Sequence, residues 1–359
     1  MHLQNLQLIQ FKNYEQAKFE FVDGINCLLG RNGVGKTNLL DAIYYLAFTK
    51  SAFNAVDKDN IQHDSQFFSI KAAIIDQDHK VEILCAVQQG EKKQLKWGGK
   101  AYEKLSDHIG KVPLVMIIPQ DTDLIRDASE VRRKFFDSLL SQIDSHYLQK
   151  LMQYNHLLKQ RNSLLKQLNE QNNYDASRIE PFDELMAPLA IELAGVRTKR
   201  IAQLKEVFIP FYRDLSGGTE TVDIQYETNV GEDFKELLKA RKQTDFYQAR
   251  STAGIHRDDY KFLIDGYPIK KFGSQGQQKS FLIAMKLSQF VTIEKEKNKK
   301  PILLLDDIFD KLDDRRIAYL LKMVSDGSFG QIFITDARPE RTKSYLEALT
   351  NNKKYFNLD

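Results

Sequence analysis

Gly30-Arg31-Asn32-Gly33-Val34-Gly35-Lys36-Thr37 is the most informative segment of the chain. It fits the Gly-x4-Gly-Lys-Ser/Thr pattern, with an apolar run at 25–29 before it and a second apolar-rich run at 39–43 after it. A strand, a glycine turn and a helix start suit polyphosphate binding, because glycines let backbone N–H groups point inward and a helix N-terminus favours an anion. The pattern predicts Lys36 against the β- and γ-phosphates and Thr37 on Mg²⁺. An ordinary glycine turn is the alternative.

Composition indicates a globular protein with a substantial core. At 359 residues and 42% hydrophobic content, the chain predicts two structural units. No apolar run approaches the roughly 18 residues of a membrane helix, and Met1-His2-Leu3-Gln4-Asn5 lacks the pattern of a secretory signal, so we expect a cytoplasmic protein without a membrane partner. Cys27 and Cys85 lie in strand-like apolar stretches and are expected to be buried free thiols.

Charge alone does not indicate a nucleic-acid partner. Fifty-two Lys and Arg against 49 Asp and Glu leave a formal charge of +3, so any DNA contact must come from local patches. The candidate patches are Lys92-Lys93 with Lys96 and Lys100, Arg197 with Lys199-Arg200, and Arg241-Lys242. Each is also compatible with an ordinary solvated face.

Hydrophobic periodicity changes twice along the chain. Short strands are predicted around the turn at 12–15 and between 66 and 118, with a hairpin turn at Trp97-Gly98-Gly99-Lys100. From Ser129 the apolar spacing becomes helical and predicts a short antiparallel helical hairpin, its second helix running from Asp183 to about Tyr212. Buried parallel strands are predicted again near both 302–305 and 331–335. We therefore predict an α/β head made from 1–125 and 251–359, with an inserted helical lobe at 126–250.

A second cluster of polar residues ends the apolar strand Ile302-Leu303-Leu304-Leu305. Asp306 and Asp307 offer one carboxylate to hold a metal together with Thr37 and water, and a second to orient an attacking water. A capped buried strand is the alternative. The glycine loop some 270 residues earlier favours a single site built from both ends of the chain.

The segment Gly273-Ser274-Gln275-Gly276-Gln277-Gln278-Lys279 precedes an apolar helical run and reads as another helix start that attracts anions. Since the first loop already wraps the phosphates from one side, this segment is expected to reach a nucleotide held by a second subunit. A plain Ser274 N-cap is the alternative.

These motifs resemble those of ABC-type ATPases. The glycine loop, Ser274-Gln275-Gly276-Gln277-Gln278, the strand ending in Asp306-Asp307, and Leu312-Asp313 are similar to the loop, signature, acidic strand and D-loop of that class. The long insertion is typical of the branch that includes chromosome-maintenance proteins. Four motifs also resemble those of the RecF family of bacterial recombination mediators: Phe11-Lys12-Asn13-Tyr14, Ser129 to Asp137, Gly254-Ile255-His256-Arg257-Asp258-Asp259, and Ser274 to Lys279.

The resemblance implies a repair protein that binds ATP and Mg²⁺, dimerises when ATP is bound, and engages DNA at single-strand gaps or junctions. RecR and RecO are the implied partners in helping RecA replace single-strand binding protein. Weak ATP hydrolysis would act as a timer.

The resemblance also assigns residues by position. Gly30, Arg31, Asn32, Gly33, Val34, Gly35, Lys36, Thr37 and Asn38 would hold the nucleotide, Thr37 and Asp306 the Mg²⁺, and Asp307 the water. Lys36, Asp306 and Asp307 are thus the implied catalytic residues. Ser274, Gly276 and Gln277 would contact the partner subunit's nucleotide. Lys12 and Asn13 would lie near the phosphates, with a plain surface turn as the alternative.

Departures from the resembled pattern limit these assignments. Lys279 stands where the family usually has Arg, and Asn54 where it usually has a basic residue, so Asn54 is given no nucleotide role. No His follows Ile332-Phe333-Ile334-Thr335, the place where transport ATPases put a phosphate-sensing His, and Asp307 is shorter than their Glu. Slow hydrolysis is therefore expected.

Two motifs remain open between structural and functional roles. His256-Arg257-Asp258-Asp259 is either a turn that pairs its own charges or a latch beside the signature. Arg132 and Arg133 either form salt bridges, which we favour, or contact DNA.

Two other classes of protein share parts of this pattern. A cytosolic ATPase subunit of a transporter would have a similar loop, although its signature usually lies much closer to the loop. A non-hydrolysing scaffold is the third possibility, against which the full set of nucleotide residues argues.

Overall fold

The structure, a computed structural model, describes residues 1–218, 220–308, 314–347 and 352–358. The chain divides into two compact units. The first contains Met1–Asp121 and Lys279–Asp359, and the second contains Thr122–Gln278. Leu312-Asp313, the predicted D-loop, lies outside the described residues.

Fourteen strands are present in the described residues. In chain order they are β1 (His2–Phe11), β2 (Tyr14–Glu20), β3 (Ile25–Leu29), β4 (Phe67–Asp76), β5 (His79–Gln88), β6 (Gln94–Trp97), β7 (Lys100–Ala101), β8 (Leu114–Ile117), β9 (Val222–Glu227), β10 (Asp259–Ile264), β11 (Tyr267–Pro268), β12 (Ile302–Leu305), β13 (Ile332–Asp336) and β14 (Lys353–Asn357). They form one parallel sheet and two antiparallel sheets.

The helices follow the same chain order. They are α1 (Lys36–Phe48), α2 (Asp123–Arg126), α3 (Ser129–Ile143), α4 (Ser145–Glu170), α5 (Ala176–Ser216), α6 (Phe234–Gln248), α7 (Ile269–Phe272) and α8 (Gln275–Lys297), with further helices at Asp314–Ser325 and Pro339–Leu346. Short 3-10 helices lie at Asp57–Asn60, Leu105–His108, Pro119–Thr122 and Ile255–Arg257.

The parallel sheet of the first unit determines where polar residues meet. Its order is β14-β3-β13-β12-β8, and β3, β12 and β13 are buried along their whole length. Continuous apolar runs of this kind suit a sheet that is covered on both faces. Leu305 pairs with Ile334, and Ile334 pairs with Cys27, so these three strands end at the same edge. The two parallel strands predicted near 302–305 and 331–335 are confirmed.

The second sheet of the first unit is antiparallel, in the order β2-β1-β4-β5-β6-β7. The predicted hairpin turn after Trp97 is confirmed, because Lys100 pairs with Trp97 across it. Gly98 and Gly99 have φ values of 55° and 79°, the left-handed conformation that a two-residue hairpin of this type requires.

One apolar core includes side chains from both sheets of this unit and from α1, such as Leu28, Leu40, Phe68 and Phe333. Cys27 and Cys85 are buried free thiols, as predicted. Burial raises the pKa of each thiol to about 12, so neither is a thiolate at neutral pH.

The second unit is built on the predicted helical hairpin of α4 and α5. Leu151 and Tyr154 of α4 share an apolar core with Ala190 and Leu193 of α5. Helix α5 begins earlier than the predicted Asp183, because the Asp175 carboxylate caps its N-terminus by accepting a hydrogen bond from the backbone N–H of residue 177. At 41 residues, α5 is also longer than a short arm requires.

The boundary between the units lies later in the chain than the predicted residue 251. Strand β10 pairs with β9, from Asp259 with Glu227 to Ile264 with Val222, so it completes a small sheet of the second unit. The ladder between β9 and β10 therefore places residues 251–278 in the second unit. Within the residues described above, no helix combines the length and the apolar character that a membrane crossing needs.

His108 of the first unit provides a test of this core. Its ring is fully buried, with Nε2 2.6 Å from the Leu46 carbonyl oxygen and Nδ1 3.2 Å from the Tyr102 hydroxyl. Nε2–H must donate to the carbonyl, and in the neutral ring Nδ1 accepts from the tyrosine hydroxyl. Burial lowers the pKa of His108 to about 4, against 6.5 in the unfolded chain.

The depressed pKa predicts acid sensitivity of the first unit. Below pH 6.5 the unfolded chain binds a proton that the folded ring does not. The contribution of His108 to the free energy of unfolding is therefore fully present above pH 6.5 and is lost as the pH falls toward 4. His108 should contribute a loss of about 2 kcal/mol at pH 5. Urea unfolding at pH 7.5 and 5.0 measures this loss, and His108→Gln should reduce it. An equal loss in the variant and the wild type would contradict the prediction.

Candidate nucleotide-binding site

The glycine loop joins β3 to α1 at the edge where the parallel strands end. Gly35 occupies the N-cap position of α1, and no side chain caps the helix there. The first N–H groups of a helix have no intrahelical acceptor, and they carry the positive end of the helix dipole. The loop therefore offers an anion a set of backbone donors, as the sequence predicts.

Two of its glycines are required by space as well as by conformation. Gly30 has a φ of 151°, and a Cβ there would lie 2.2 Å from the Leu358 carbonyl oxygen. Gly35 has a φ of 110°, and a Cβ there would lie 2.4 Å from Nδ2 of Asn13. Any larger residue would displace the neighbouring segment at either position.

Lys36 fills the centre of the loop. Its side chain is buried, and Nζ donates to the carbonyl oxygens of Gly30 at 2.7 Å and Arg31 at 3.0 Å. The ammonium group is thus held by the same backbone segment that would surround a phosphate. A lysine in this position can interact with an anion in the loop while its stem stays fixed.

The turn between β1 and β2 supports the loop from the side. Asn13 donates through Nδ2 to the Val34 carbonyl at 3.1 Å and accepts through Oδ1 from Asn38 at 2.8 Å. The Tyr14 hydroxyl donates to the Gly35 carbonyl at 3.1 Å. Asn13 therefore contacts the loop itself, whereas the sequence predicts only that it lies nearby. Tyr14 is a further support of the loop that no local sequence pattern marks.

Lys12 is directed elsewhere. Its Nζ lies 2.6 Å from Asp41 Oδ2, and the Asp41 side chain is completely buried. Asp41 also accepts from the Ser51 hydroxyl at 2.6 Å and from the Ala52 backbone N–H at 2.7 Å. The structure thus pairs Lys12 with a carboxylate of α1, in a position that supports the helix after the loop.

Asp306 joins the second half of the predicted site to the first. The Thr37 hydroxyl lies 3.0 Å from each carboxylate oxygen, and the Thr335 hydroxyl donates to Oδ1 at 2.7 Å. Burial raises the pKa of Asp306, opposed by its hydrogen bonds with the two threonines and by the charge of Lys36. A buried carboxylate with these partners is a suitable ligand for a hard cation.

Asp307 follows in a left-handed conformation, with a φ of 44°. Its backbone N–H donates to Thr335 Oγ1 at 2.9 Å. Aspartate tolerates this conformation better than most residues. Thr335 consequently fixes both acidic residues, one through its proton and the other through its oxygen lone pair.

Thr335 was not predicted as a site residue, although the sequence contains a signal for it. The residue directly follows the apolar run that ends at Ile334, just as Asp306 follows Leu305. The parallel register pairs Leu305 with Ile334, so the next residues on the two strands are neighbours. Polar residues at equivalent ends of two parallel strands are the pattern to search for.

The predicted signature segment belongs to the second unit, and its Ser274 is a helix cap. Gln277 donates its backbone N–H to the Ser274 hydroxyl at 3.2 Å, while Gln277 Oε1 accepts from the Ser274 N–H at 2.7 Å. This reciprocal arrangement is a capping box. The side chain of Gln277 is held further by Glu220, whose Oε1 lies 2.9 Å from Nε2.

The motif from His256 to Asp259 is largely a structural turn. His256 accepts through Nδ1 from the Tyr154 hydroxyl at 3.0 Å and donates through Nε2 to the Ser251 carbonyl at 3.1 Å, and burial lowers its pKa to about 4. Asp259 forms a two-point ion pair with Arg132, at 2.8 and 3.1 Å. The salt-bridge interpretation of Arg132 is confirmed, and only Arg257 of the four-residue motif is exposed.

Arg133 also has a structural role, since it donates to the Asp258 carbonyl at 2.6 Å. Asp258 is buried and accepts from Arg197 at 2.6 Å, and burial raises its pKa. Arg197 is itself only 1% exposed and also donates to Asp137 at 2.7 Å. Its inclusion in a candidate DNA patch is therefore wrong, because the guanidinium lies inside the second unit.

Two other candidate patches change in the same way. Lys93 binds Asp57 at 2.7 Å and the Thr49 carbonyl at 2.6 Å, so its charge is already paired. Lys242 is buried, 3.9 Å from Asp183. Four residues of the predicted patches are exposed: Lys92, Lys100, Lys199 and Arg241.

Asn54, to which the sequence analysis gives no nucleotide role, makes hydrogen bonds within its own turn. Its Nδ2 donates to Asn60 Oδ1 at 3.0 Å and its backbone N–H donates to the Ser51 hydroxyl at 3.0 Å. Lys279, at the other departure from the resembled pattern, is half-buried. Among the residues that the structure describes, no cluster of three or more His, Cys, Asp or Glu has the arrangement of a metal site.

Comparisons with known proteins cover nearly the whole chain. The family described as RecF/RecN/SMC N terminal domain matches residues 2–354. A DNA replication and repair protein RecF from Flavobacterium johnsoniae is 45% identical, with 100% of both chains covered. The solved structure of the recombination mediator protein RecF-ATPrS in the RecFOR pathway is 29% identical and has a TM-score of 0.89, covering 99% of this chain and 95% of that one. RecF-ATP, from the same pathway, is 31% identical with a TM-score of 0.86, covering 94% and 92%.

A glycine loop before α1, a parallel sheet with acidic residues at its edge, and the matched family define an ABC-type ATPase fold of the SMC-like branch. The chain belongs to the RecF family within that branch. The fold class and the family predicted from the motifs are both confirmed.

The contacts of Asn13 predict a measurable effect on nucleotide binding. Asn13→Ala removes two hydrogen bonds that hold the loop and the start of α1, and it should weaken the affinity for a Mg-nucleoside triphosphate about tenfold, or about 1.4 kcal/mol. Isothermal titration calorimetry measures the change. Asn54→Ala is the matched control and should leave affinity unaltered. Equal affinities for Asn13→Ala and the wild type would show that the turn does not shape the loop.

Proposed function

We propose that the chain is an ATP-dependent DNA-binding protein of recombinational repair, whose ATP-bound form is a homodimer. The observation that carries this proposal is the contact between Thr37 of the glycine loop and Asp306 of the acidic strand. This contact and the buried Lys36 bring together a hydroxyl, a carboxylate and an ammonium group, which are groups that a bound ATP and its Mg²⁺ need. The name RecF-ATP of a similar solved structure supports ATP as the nucleotide.

ATP would occupy the loop from Gly30 to Asn38. The backbone donors at the start of α1 would surround the phosphates, and Lys36 would neutralise their charge. Arg31, Asn32 and Val34 are part of the loop and belong, by position, to the proposed nucleotide contacts. Asn13 would act through the loop, and Lys12 through Asp41.

Mg²⁺ fits the oxygen atoms of Thr37 and Asp306. Mg²⁺ prefers oxygen ligands and retains several waters, so one hydroxyl and one carboxylate are sufficient protein ligands. The raised pKa of Asp306 reflects the cost of an unneutralised buried charge, which a cation at that position would offset. Bound Mg²⁺ would supply charge neutralisation at the terminal phosphates.

Asp307 would orient the attacking water. The bond from its backbone to Thr335 and its left-handed conformation place the residue just beyond the end of β12. Aspartate is shorter than the glutamate that transport ATPases use, and Asp336 occupies the place of their phosphate-sensing histidine. Because the carboxylate is shorter and the histidine is missing, we expect weak hydrolysis to ADP and phosphate, which would act as a timer on DNA.

The signature segment would complete the site of a second copy. Ser274, Gly276 and Gln277 lie at the start of α8, where helical N–H groups favour an anion. The capping box keeps this segment in a fixed conformation before any partner arrives. Each nucleotide would thus contact the glycine loop of one copy and the signature of the other.

DNA at single-strand gaps or junctions is the proposed target, with RecR as a direct partner and RecO and RecA in the same pathway, in the cytoplasm. The names of the similar proteins, DNA replication and repair protein and RecFOR pathway, support this assignment. The exposed Lys92, Lys100, Lys199 and Arg241 favour contacts with the DNA backbone over reading of bases. The unit made of Met1–Asp121 and Lys279–Asp359 would bind ATP, and the unit Thr122–Gln278 would be its insertion.

Two substitutions separate ATP binding from hydrolysis. Lys36→Ala should abolish both ATP binding and dimerisation, because the charge at the centre of the loop is lost. Asp307→Asn should bind ATP normally and form a longer-lived dimer, because water is no longer oriented. Size-exclusion chromatography and stopped-flow dissociation with Mg-ATP measure these effects, with the exposed Lys18→Ala as control. A wild type that stays monomeric at high concentration, with and without DNA, would contradict the proposal.

Salt dependence tests the proposed recognition of the DNA backbone. The logarithm of the association constant should fall linearly with the logarithm of salt concentration, by about 0.9 per duplex phosphate neutralised. Fluorescence anisotropy with gapped DNA between low and moderate salt measures the slope. A slope near zero would exclude backbone recognition, and a membrane subunit that co-purifies with the protein would favour the transporter alternative.

A further inference from the structure

We propose that Glu220 is a positioning residue for the signature: it fixes the side-chain amide of Gln277 so that the amide donates, and does not accept, toward a nucleotide on a second copy of the chain. The proposal rests on the ATP-dependent dimer described above. It adds a residue 54 positions before Ser274, outside every motif in the sequence.

The orientation of the Gln277 amide is set from two directions. On one side, Gln277 Oε1 accepts the backbone N–H of Ser274 at 2.7 Å. On the other side, Gln277 Nε2 donates to Glu220 Oε1 at 2.9 Å. A rotation of the amide by 180° would place its oxygen against the carboxylate and its NH₂ against a backbone N–H, so both contacts would become repulsive.

This orientation determines which groups remain for a phosphate. An amide NH₂ has two protons, and Glu220 uses one of them. The Ser274 hydroxyl accepts the Gln277 N–H, so its own proton is available to an outside acceptor. The exposed Ser274 and the fixed amide therefore present donors at the start of α8, and a terminal phosphate needs donors only.

The carboxylate is the right group for this task because it cannot donate. A glutamine at 220 could pair with either end of the Gln277 amide, and the flip would cost little. Glu220 accepts in every orientation, so it selects the NH₂ end. The choice of an acid at the entrance to an anion site is otherwise unfavourable, since like charges repel.

Stability does not explain Glu220. Its Oε2 is buried and has no hydrogen-bond partner among the residues that the structure describes. An unsatisfied buried acceptor costs about 1–3 kcal/mol, and more for a charged group. A residue that served only the fold would be better as a smaller or neutral side chain, so the cost favours a role through Gln277.

The backbone beside Glu220 is held firmly enough to fix a neighbour. Thr221 donates its N–H to Asp265 Oδ1 at 2.8 Å and its hydroxyl to the same oxygen at 3.1 Å. Asp265 in return donates its N–H to the Thr221 carbonyl at 2.8 Å. These bonds join the start of β9 to the turn between β10 and β11, directly next to Glu220.

Glu220→Gln tests the proposal with little change in shape. In saturating Mg-ATP, analytical ultracentrifugation should show a dimer dissociation constant five- to twentyfold higher, with ATP binding to the monomer unchanged. Glu227→Gln, an exposed acid of β9 that pairs with Lys261, is the matched control and should dimerise as the wild type does. An unaltered or tighter dimer in Glu220→Gln would overturn the proposal.

A double-mutant cycle and one spectroscopic measurement separate this proposal from the dimer itself. In a Gln277→Ala background, Glu220→Gln should have no further effect on dimerisation, because Glu220 acts only through that amide. Nuclear magnetic resonance of glutamine-labelled monomer, with Gln277→Ala to assign the peak, should show the two Nε2 protons well separated and closer together in Glu220→Gln. Unchanged proton shifts overturn the positioning role. Changed shifts in a protein that never dimerises support it while rejecting the proposed dimer.

Discussion

A single buried carboxylate joins residues that are 269 positions apart in the chain. Asp306 receives the Thr37 hydroxyl from the glycine loop and the Thr335 hydroxyl from the neighbouring strand. The parallel pairings of β12 with β13 and of β13 with β3 bring those groups together, because all three strands end at one edge of the sheet. Without the pairing between strands from opposite ends of the chain, the loop would have lysine and backbone donors but no carboxylate for a metal. The sheet topology is therefore the physical requirement on which the site depends.

The sequence predicts only some of the residues that contact the glycine loop. The glycines, Lys36 and Thr37 follow a local pattern in which spacing alone defines the geometry, so the sequence was sufficient for them. Tyr14 and Asp41 are supports whose partners depend on how the β1–β2 turn and α1 meet, and no local pattern encodes that meeting. The sequence predicts Lys12 near the phosphates, but its ammonium group is paired with Asp41. This pairing also depends on how the β1–β2 turn and α1 meet.

The sequence predicts least well the residues whose burial depends on distant partners. Arg197 has the composition of a surface patch with its neighbours at 199 and 200, yet it is buried and bonded to Asp258. An arginine on a long helix faces either solvent or a core, and helical spacing predicts the face only when apolar neighbours mark it clearly. Here the partners Asp137 and Asp258 come from distant segments, so the ion pair was not visible in the sequence. Asp258, from the motif at His256 to Asp259, belongs to the same network.

The signature differs from the glycine loop in how its geometry is obtained. The loop relies on glycine conformations and a buried lysine, whereas Ser274 and Gln277 rely on a capping box that is complete within one turn of helix. A capping box forms within one helical turn, so the local sequence predicts it. It does not determine which group the Nε2 end of the Gln277 amide contacts. Glu220, which lies outside the helix, accepts the hydrogen bond from that Nε2 group. A segment that is ordered without a ligand loses less conformational entropy when it contacts a nucleotide, and this would favour the proposed ATP-dependent dimer.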